Sequence, residues 1–323
     1  MNGIHNVNIS DKRVRYSFDL TRNITVVQGD SGTGKTTLFD MISAYARLKD
    51  RSGVQIVCDK ACIALTADSD WQSRLGNIED SIVFIDEDAE FVSTHEFAAA
   101  IRHTDNYYVI FIREPLYELP YSVEEIYEIR TSNRFHTFRK AYRRQNGYVY
   151  TRIPGRKKPM TLLTEDTHSG YQFYRTYYDG SSVICESAGS NSGIFSWLRE
   201  HSDQEVFVIA DGAAFGAEMN RIMQLQHQFP DKITLCLPES FEWLILQSGV
   251  IDIPGLKDLL ENPSDHIDSK QFFSWENFFE DYLIQHTAGT HYAYSKSQLH
   301  SYYTVRENSG KIVALIVSNM PKR

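Results

Sequence analysis

Ile24-Thr25-Val26-Val27-Gln28 runs directly into Gly29-Asp30-Ser31-Gly32-Thr33-Gly34-Lys35-Thr36, and a helical pattern over residues 36–48 follows without a break. A short β-branched strand, the spacing Gly, four residues, Gly, Lys, Thr, and then a helix form the pattern of a phosphate-binding loop. Each residue type has a physical task. Glycines let the backbone wrap an anion with its N–H groups inward, and the helix turns its positive end on the same charge. Lys35 is placed for the β- and γ-oxygens of a nucleoside triphosphate, and the Thr36 hydroxyl for its magnesium ion, with Thr37 beside it. Residues 29–37 are therefore expected to bind ATP and Mg2+.

Outward from the loop, β-branched runs at 54–66, 81–85 and 107–112 alternate with helical patterns such as 93–103, which reads as an α/β fold with a parallel sheet. Ligands bind at the carboxyl ends of such strands. Ile82-Val83-Phe84-Ile85 ends in Asp86-Glu87, so Asp86 is expected to hold the magnesium and Glu87 to orient and deprotonate an attacking water. Arg113 ends the next strand, where it either senses the γ-phosphate or pairs with Glu87 or Glu114.

With 323 residues, 42% hydrophobic and 23% charged, the chain is long enough for two domains and too apolar for wholesale disorder. It shows no signal segment and no apolar run of the roughly 18 residues a membrane span needs, so a cytoplasmic protein off the membrane is expected. Cys58, Cys62, Cys185 and Cys236 are few and scattered, as in a reducing compartment, and Cys58 and Cys62 have no second ligand pair for zinc. The turn-forming stretch Pro154-Gly155-Arg156-Lys157-Lys158-Pro159 divides the chain into 1–158 and 159–323. In the second part, strands at 161–163, 182–186, 205–210 and 232–237 alternate with helices at 170–178 and 192–201, and Pro238 opens a further helix. Past Asp252 the pattern is helical and aromatic, and it ends in an expected hairpin, 302–306 against 311–318, turned at Asn308-Ser309-Gly310. The aromatic residues between Phe272 and Tyr303 suit a core or a self-association surface.

Charge is uneven along the chain. Residues 1–158 carry 22 Lys+Arg against 21 Asp+Glu, and the rest carry 11 against 21. From Arg130 to Lys158 there are ten basic residues and no acid, with Phe135, Phe138, Tyr142, Tyr148 and Tyr150 interleaved. That stripe suits either nucleic acid, phosphates neutralised and rings stacked on bases, or an internal contact with the acidic second part. The second part's acids follow its strands: Glu165, then Asp211, then Glu239 and Glu242. Carboxylates gathered at one sheet edge can hold magnesium against a phosphodiester.

Tyr16-Ser17-Phe18-Asp19-Leu20 leading into residues 24–38, with the strand ending Asp86-Glu87, resembles the additional-strand P-loop ATPases, within them the ABC-like group of DNA-processing and phage-defence proteins. No Leu-Ser-Gly-Gly-type signature precedes Asp86. Leu162-Leu163-Thr164-Glu165, Ile209-Ala210-Asp211 and Glu239-Ser240-Phe241-Glu242 resemble a TOPRIM domain, as joined to an ATPase in the overcoming-lysogenization-defect nucleases. The resemblance implies a P-loop NTPase domain followed by a TOPRIM-like α/β domain. It makes Glu165 the acid or base at the scissile phosphate, and Asp211 and Glu242 metal ligands. That family's strand ends Asp-X-Asp, whereas Asp211-Gly212-Ala213 has one acid, which leaves Asp166 or Glu239 to supply another. The implied activity is an ATPase controlling a magnesium-dependent nuclease in antiviral defence. The alternative is an ATP-driven sensor, self-assembling or recruiting an effector through an inactive second domain.

Overall fold

The computed structural model describes residues 1–68, 70–145, 147–151 and 161–316. The chain is α/β and forms two compact units. The first comprises Met1–Tyr142 and Glu261–Ser274, and the second comprises Arg143–Leu260 and the chain from Trp275 onward. The chain thus leaves the first unit at Tyr142, ahead of position 158, and returns to it for one short segment. Residues 152–160, where the sequence reading draws its boundary, lie outside the described residues.

Through the first unit run β1 (His5–Ser10), β2 (Arg15–Leu20), β3 (Ile24–Gln28), α1 (Lys35–Leu48), β4 (Gln55–Val57), β5 (Ala61–Leu65), α2 (Trp71–Leu75), β6 (Ser81–Ile85), α3 (His95–Ile101), β7 (Tyr107–Phe111), β8 (Ile126–Ser132) and β9 (Phe135–Lys140). They form a nine-stranded sheet in the order β4-β1-β2-β9-β8-β3-β7-β6-β5. From β8 to β5 neighbours are parallel. Strands β6 and β7 are buried at every residue and β3 at all but its last, as continuous apolar runs must be when both sheet faces are covered. Strand β7 lies between β3 and β6, so the glycine loop and Asp86-Glu87 leave the same edge of the sheet one strand apart.

Strands β1 and β2 are antiparallel and alternate buried with more exposed positions, the mark of one covered face. Val7, Ile9, Tyr16, Phe18 and Leu20 meet Leu38, Phe39 and Ile42 of α1 in one core. Residues 54–66, read from sequence as one strand, break at Cys58-Asp59-Lys60 into β4 and β5, which occupy opposite edges of the sheet. A link of that length spans about 14 Å at most. The sheet must therefore curl around α1 until its edges meet, a long-range requirement that local alternation does not encode.

Next come β10 (Val149–Thr151), β11 (Thr161–Thr164), α4 (Ser169–Tyr177), β12 (Ile184–Ser187), α5 (Asn191–Glu200), β13 (Val206–Ile209), α6 (Met219–Gln228), β14 (Ile233–Cys236), α7 (Phe241–Gln247), α8 (Leu256–Glu261), α9 (Pro263–His266), α10 (Trp275–Thr287) and α11 (Arg306–Ala314). The second unit's sheet has the order β10-β14-β13-β11-β12, parallel except for β10. Helix α7 starts three residues after Pro238. The Pro238 carbonyl accepts from Gly212 N at 2.6 Å, which ties it to the end of β13, and Ser240 Oγ caps the helix by accepting from Trp243 N at 3.1 Å. No helix among the described residues is long and apolar enough to cross a membrane.

The expected C-terminal hairpin is instead a helix. Asn308-Ser309-Gly310, good turn chemistry, lies inside α11, where Ser309 N bonds to Val305 O at 2.9 Å and Ile312 and Val313 are buried. Burial of that apolar stripe outweighs a local turn preference. Gly310 has open space where a Cβ would stand and no left-handed φ. Gly310→Ala is therefore expected to stabilise the protein by roughly 0.5–1 kcal/mol, read as a higher denaturant midpoint. A hairpin turn at this position would give the opposite sign.

Candidate functional site

The glycine loop sits between buried β3 and the first turn of α1. Helix α1 has no side-chain cap and no acid in its first turn, which leaves its N-terminal amides and their partial positive charge to an anion. Gly34 shows why glycine is needed there. Its φ is 106°, and a Cβ would stand 2.8 Å from Tyr16 Oη, which donates to the Gly34 carbonyl at 2.9 Å. Tyr16 in turn stacks on His136 with ring centroids 4.5 Å apart. Asp30, Ser31, Gly32, Thr36 and Thr37 are exposed along the loop's outer lip.

Lys35 is 4% exposed. Its ammonium donates to the loop's own carbonyls at Gly29 and Asp30 and stands 3.3 Å from Glu87 Oε2. Arg113 takes the other oxygen of Glu87 at 2.7 Å, so of the two roles read for Arg113 the carboxylate pairing is the one formed. The Arg113 hydrogen bond, aided by Lys35, holds the Glu87 carboxyl below its usual range. Burial raises that of Asp86, with Asp88, Glu87 and Asp40 adding to the rise. Asp86 thus sits in negative potential beside a loop whose cation is tied to carbonyls. Residues of these types fit a nucleotide triphosphate with magnesium, the anion on Lys35 and the α1 amides, the cation on Thr36 and Asp86.

In the second unit the parallel strands deliver acids to one edge. Glu165 follows β11 directly and Asp211 follows β13 by one residue, and Asp211 N donates to Glu165 Oε2 at 3.2 Å. Asp211 Oδ1 accepts from Phe241 N at 3.0 Å, the first residue of α7, where a carboxylate also complements the helix dipole. Glu242, one residue on, accepts from Tyr294 Oη. The carboxylate that groups most closely with Glu165 and Asp211 is not Glu242 but one that no motif indicated. Glu276, in the first turn of α10, brings an oxygen within 4.8 Å of those of Glu165 and Asp211. It lies in an aromatic stretch with no spacing signal, and tertiary packing alone brings it here.

Neither acid proposed from sequence to complete the set is in the group formed by Glu165, Asp211 and Glu276, although Asp166 lines the cavity beside them. Glu239 pairs with Arg144 at 3.8 Å, and Asp166 is held by His168, whose Nδ1 is 2.7 Å from Asp166 Oδ2. The space between Glu165, Asp211, Glu242 and Lys296 is about 30 Å³, the size of an ion with little else. Lys296 Nζ reaches Glu276 at 2.8 Å and Glu280 at 3.2 Å. Burial pushes Glu165 up to about 8, with Glu276 adding to the rise, and burial drives Asp211 well above the usual carboxylate range, with Glu165 adding there. Burial raises Glu242 as well. It would lower Lys296, but Glu276, Glu242 and Asp211 outweigh it and raise its affinity for its proton. An oxygen-rich, half-buried centre of this kind fits a hard divalent cation such as magnesium, whose binding would release the carboxyl protons.

Among the described residues of the basic stripe, most of the interleaved rings pack inward. Strands β8 and β9 carry its first half as an antiparallel pair. Phe138 stacks on Phe18 at 3.8 Å in the core, Tyr150 is buried, and Tyr148 accepts from Trp243 Nε1 at 3.2 Å. Phe135, Arg130, Arg134 and Arg139 remain exposed on the pair, while Arg152, Arg156, Lys157 and Lys158 lie outside the described residues. No protein-family model matches the chain, and the search of curated proteins returns no match.

The raised Glu165 carboxyl has a measurable sign. In the folded protein it keeps its proton up to about pH 8, against 4.5 ordinarily. Its contribution to stability is complete below about 4.5 and is lost as the pH rises through 8, because the unfolded chain has by then released the proton. Denaturant midpoints measured in chelator between pH 5 and 8.5 are expected to fall more steeply for the wild type than for Glu165→Gln. Parallel slopes would show that Glu165 is an ordinary carboxylate.

Proposed function

We propose that the first unit binds and hydrolyses ATP with magnesium and that this controls the second unit. The second unit would then be a TOPRIM-like, magnesium-dependent nuclease acting in defence against phage or mobile DNA. The observation that carries the reading is the convergence of Glu165, Asp211 and Glu276, whose carboxylate oxygens lie within 4.8 Å of one another, next to a small cavity that Glu165, Asp211 and Glu242 line. A divalent ion held there would polarise a phosphodiester and stabilise charge on the attacking and leaving oxygens. Glu165, at the end of β11 beside Asp211, would act as acid or base at the scissile phosphate. In the first unit, a triphosphate would draw Lys35 and Arg113 away from Glu87 and leave that carboxylate free to take a proton from water. The strand order, with β7 between the loop strand and the Asp86-Glu87 strand, supports an additional-strand ATPase.

One observation favours a second reading. Lys296 already compensates part of the acidic centre, as it would in an inactive domain kept as a docking surface for an effector. The discriminating assay incubates plasmid, single-stranded DNA and RNA with Mg2+ or Mn2+, with and without ATP. The nuclease reading expects cleavage that Asp211→Asn lowers about 100-fold or more, as loss of several kcal/mol of metal stabilisation requires. No cleavage under any condition, with ATP still bound, selects the docking surface.

The ATP half is tested separately. Glu87→Gln is expected to keep ATP binding and lose hydrolysis by about 100-fold, and Lys35→Ala to lose binding itself. ATP binding unchanged in Lys35→Ala would remove this half of the reading.

A further inference from the structure

The acidic centre of the second unit contains a cation of its own, and the way that cation is held suggests how the site opens. The backbone on either side of Lys296 is pinned. Ser169 N donates to the Lys296 carbonyl at 2.9 Å, Gln172 Nε2 to the Ser297 carbonyl at 2.9 Å, and Tyr294 N to Thr287 Oγ1 at 2.9 Å. The side chain is a flexible four-carbon stem carrying a point charge. Its two carboxylate partners, Glu276 and Glu280, are four apart on α10 and therefore lie on one face a turn apart. Their side chains are 17% and 25% exposed, so the second partner is the more open to water.

One ammonium does not satisfy this centre. Glu242 is 1% exposed, its Oε1 accepts from Tyr294, and its Oε2 is buried with no hydrogen-bond partner while the residue lines the ion-sized space. A buried acceptor left open beside Glu165, Asp211 and Glu276 calls for a donor or a cation that the protein does not supply. A divalent ion at that point and an ammonium on Glu276 would repel each other at close range in a poorly screened interior. The two cations therefore exclude one another.

We propose that Lys296 is the resident counter-cation of the acidic centre, and that a divalent ion binds by displacing its ammonium, which now bridges Glu276 and Glu280, from Glu276 so that Glu280 alone keeps it. The inference rests on the metal-site reading above and adds its regulation. No bond is made or broken. Glu276 exchanges an ammonium for the ion, and the free Glu242 oxygen gains a partner. Lys296 then sets the metal concentration at which the centre is filled.

The test titrates Mn2+ into full-length wild type, Lys296→Met and Asp211→Asn by calorimetry. Lys296→Met is expected to bind at least about tenfold more tightly than wild type, and Asp211→Asn more weakly. Equal or weaker binding by Lys296→Met overturns the inference and leaves the metal site standing. Binding unchanged in Asp211→Asn, or absent from all three proteins, removes the metal site and the inference with it. Because Lys296→Met removes the counter-charge of a half-buried acidic centre and so lowers stability without metal, the wild type supplies a second measurement. Reaction of Lys296 with an amine-reactive reagent, read by peptide mass, is expected to rise severalfold with Mn2+ as the ammonium moves outward. Labelling that stays level or falls while Mn2+ is bound overturns the displacement.

Discussion

A parallel strand buried on both faces must leave its sheet at one edge and re-enter at the other, so all such strands end on the same side. Each unit places its chemically active residues at those exits. In the first unit β3 releases the glycine loop, β6 releases Asp86-Glu87, and β7 releases Arg113 between them. In the second, β11 releases Glu165 and β13 releases Asp211, while β14 leads through Pro238 into the Ser240 cap that sets Glu242 on α7. Crossover sterics thus concentrate charge that local sequence only distributes along the chain.

Concentrated charge must then be balanced, and the two units do so differently. Glu87 is held between Lys35 and Arg113, and these cations keep its carboxyl low. Among the described residues no cation pairs with Glu165 or Asp211, and burial drives both upward, aided by Glu276 at Glu165 and by Glu165 at Asp211. The first arrangement is a set of ion pairs that an anion can exchange into, because Lys35 has weak carbonyl partners to give up. The second is a deficit of positive charge that protons, Lys296 or a divalent ion can fill. The opposite directions of the two shifts follow from whether a counter-charge is already present, since all three groups are carboxylic acids.

Burial also explains where sequence patterns misled. The aromatic residues interleaved with the basic stripe suit either stacking on bases or an internal contact, and of these Phe138 and Tyr150 turn inward while Phe135 stays outside. Alternation along β9 sends every second residue to the core face, so a basic and aromatic mixture is what a half-buried strand at a charged surface produces. Asn308-Ser309-Gly310 misled for a related reason. Turn residues score locally, but Ile312 and Val313 need a buried face, and only a helix in that place provides it.

The amino-acid sequence by itself determined the local elements whose signals are contiguous. Among these are the strand, glycine loop and helix from Ile24 to Leu48, the apolar strands β6, β7, β13 and β14, and the acids at their ends. Short-range sterics and burial on both faces leave little choice over such stretches. Only the tertiary structure decided which acids meet. Glu276 and Lys296 lie far along the chain from Glu165 and Asp211, in segments without motif or period, and they reach the centre because α10 and the stretch after it, pinned by Ser169 N to the Lys296 carbonyl, pack there. The curl that brings β4 and β5 together across Cys58-Asp59-Lys60 was likewise undetermined locally. Both depend on contacts between residues distant in sequence, whose formation is set by the packing of whole elements rather than by any window of residues.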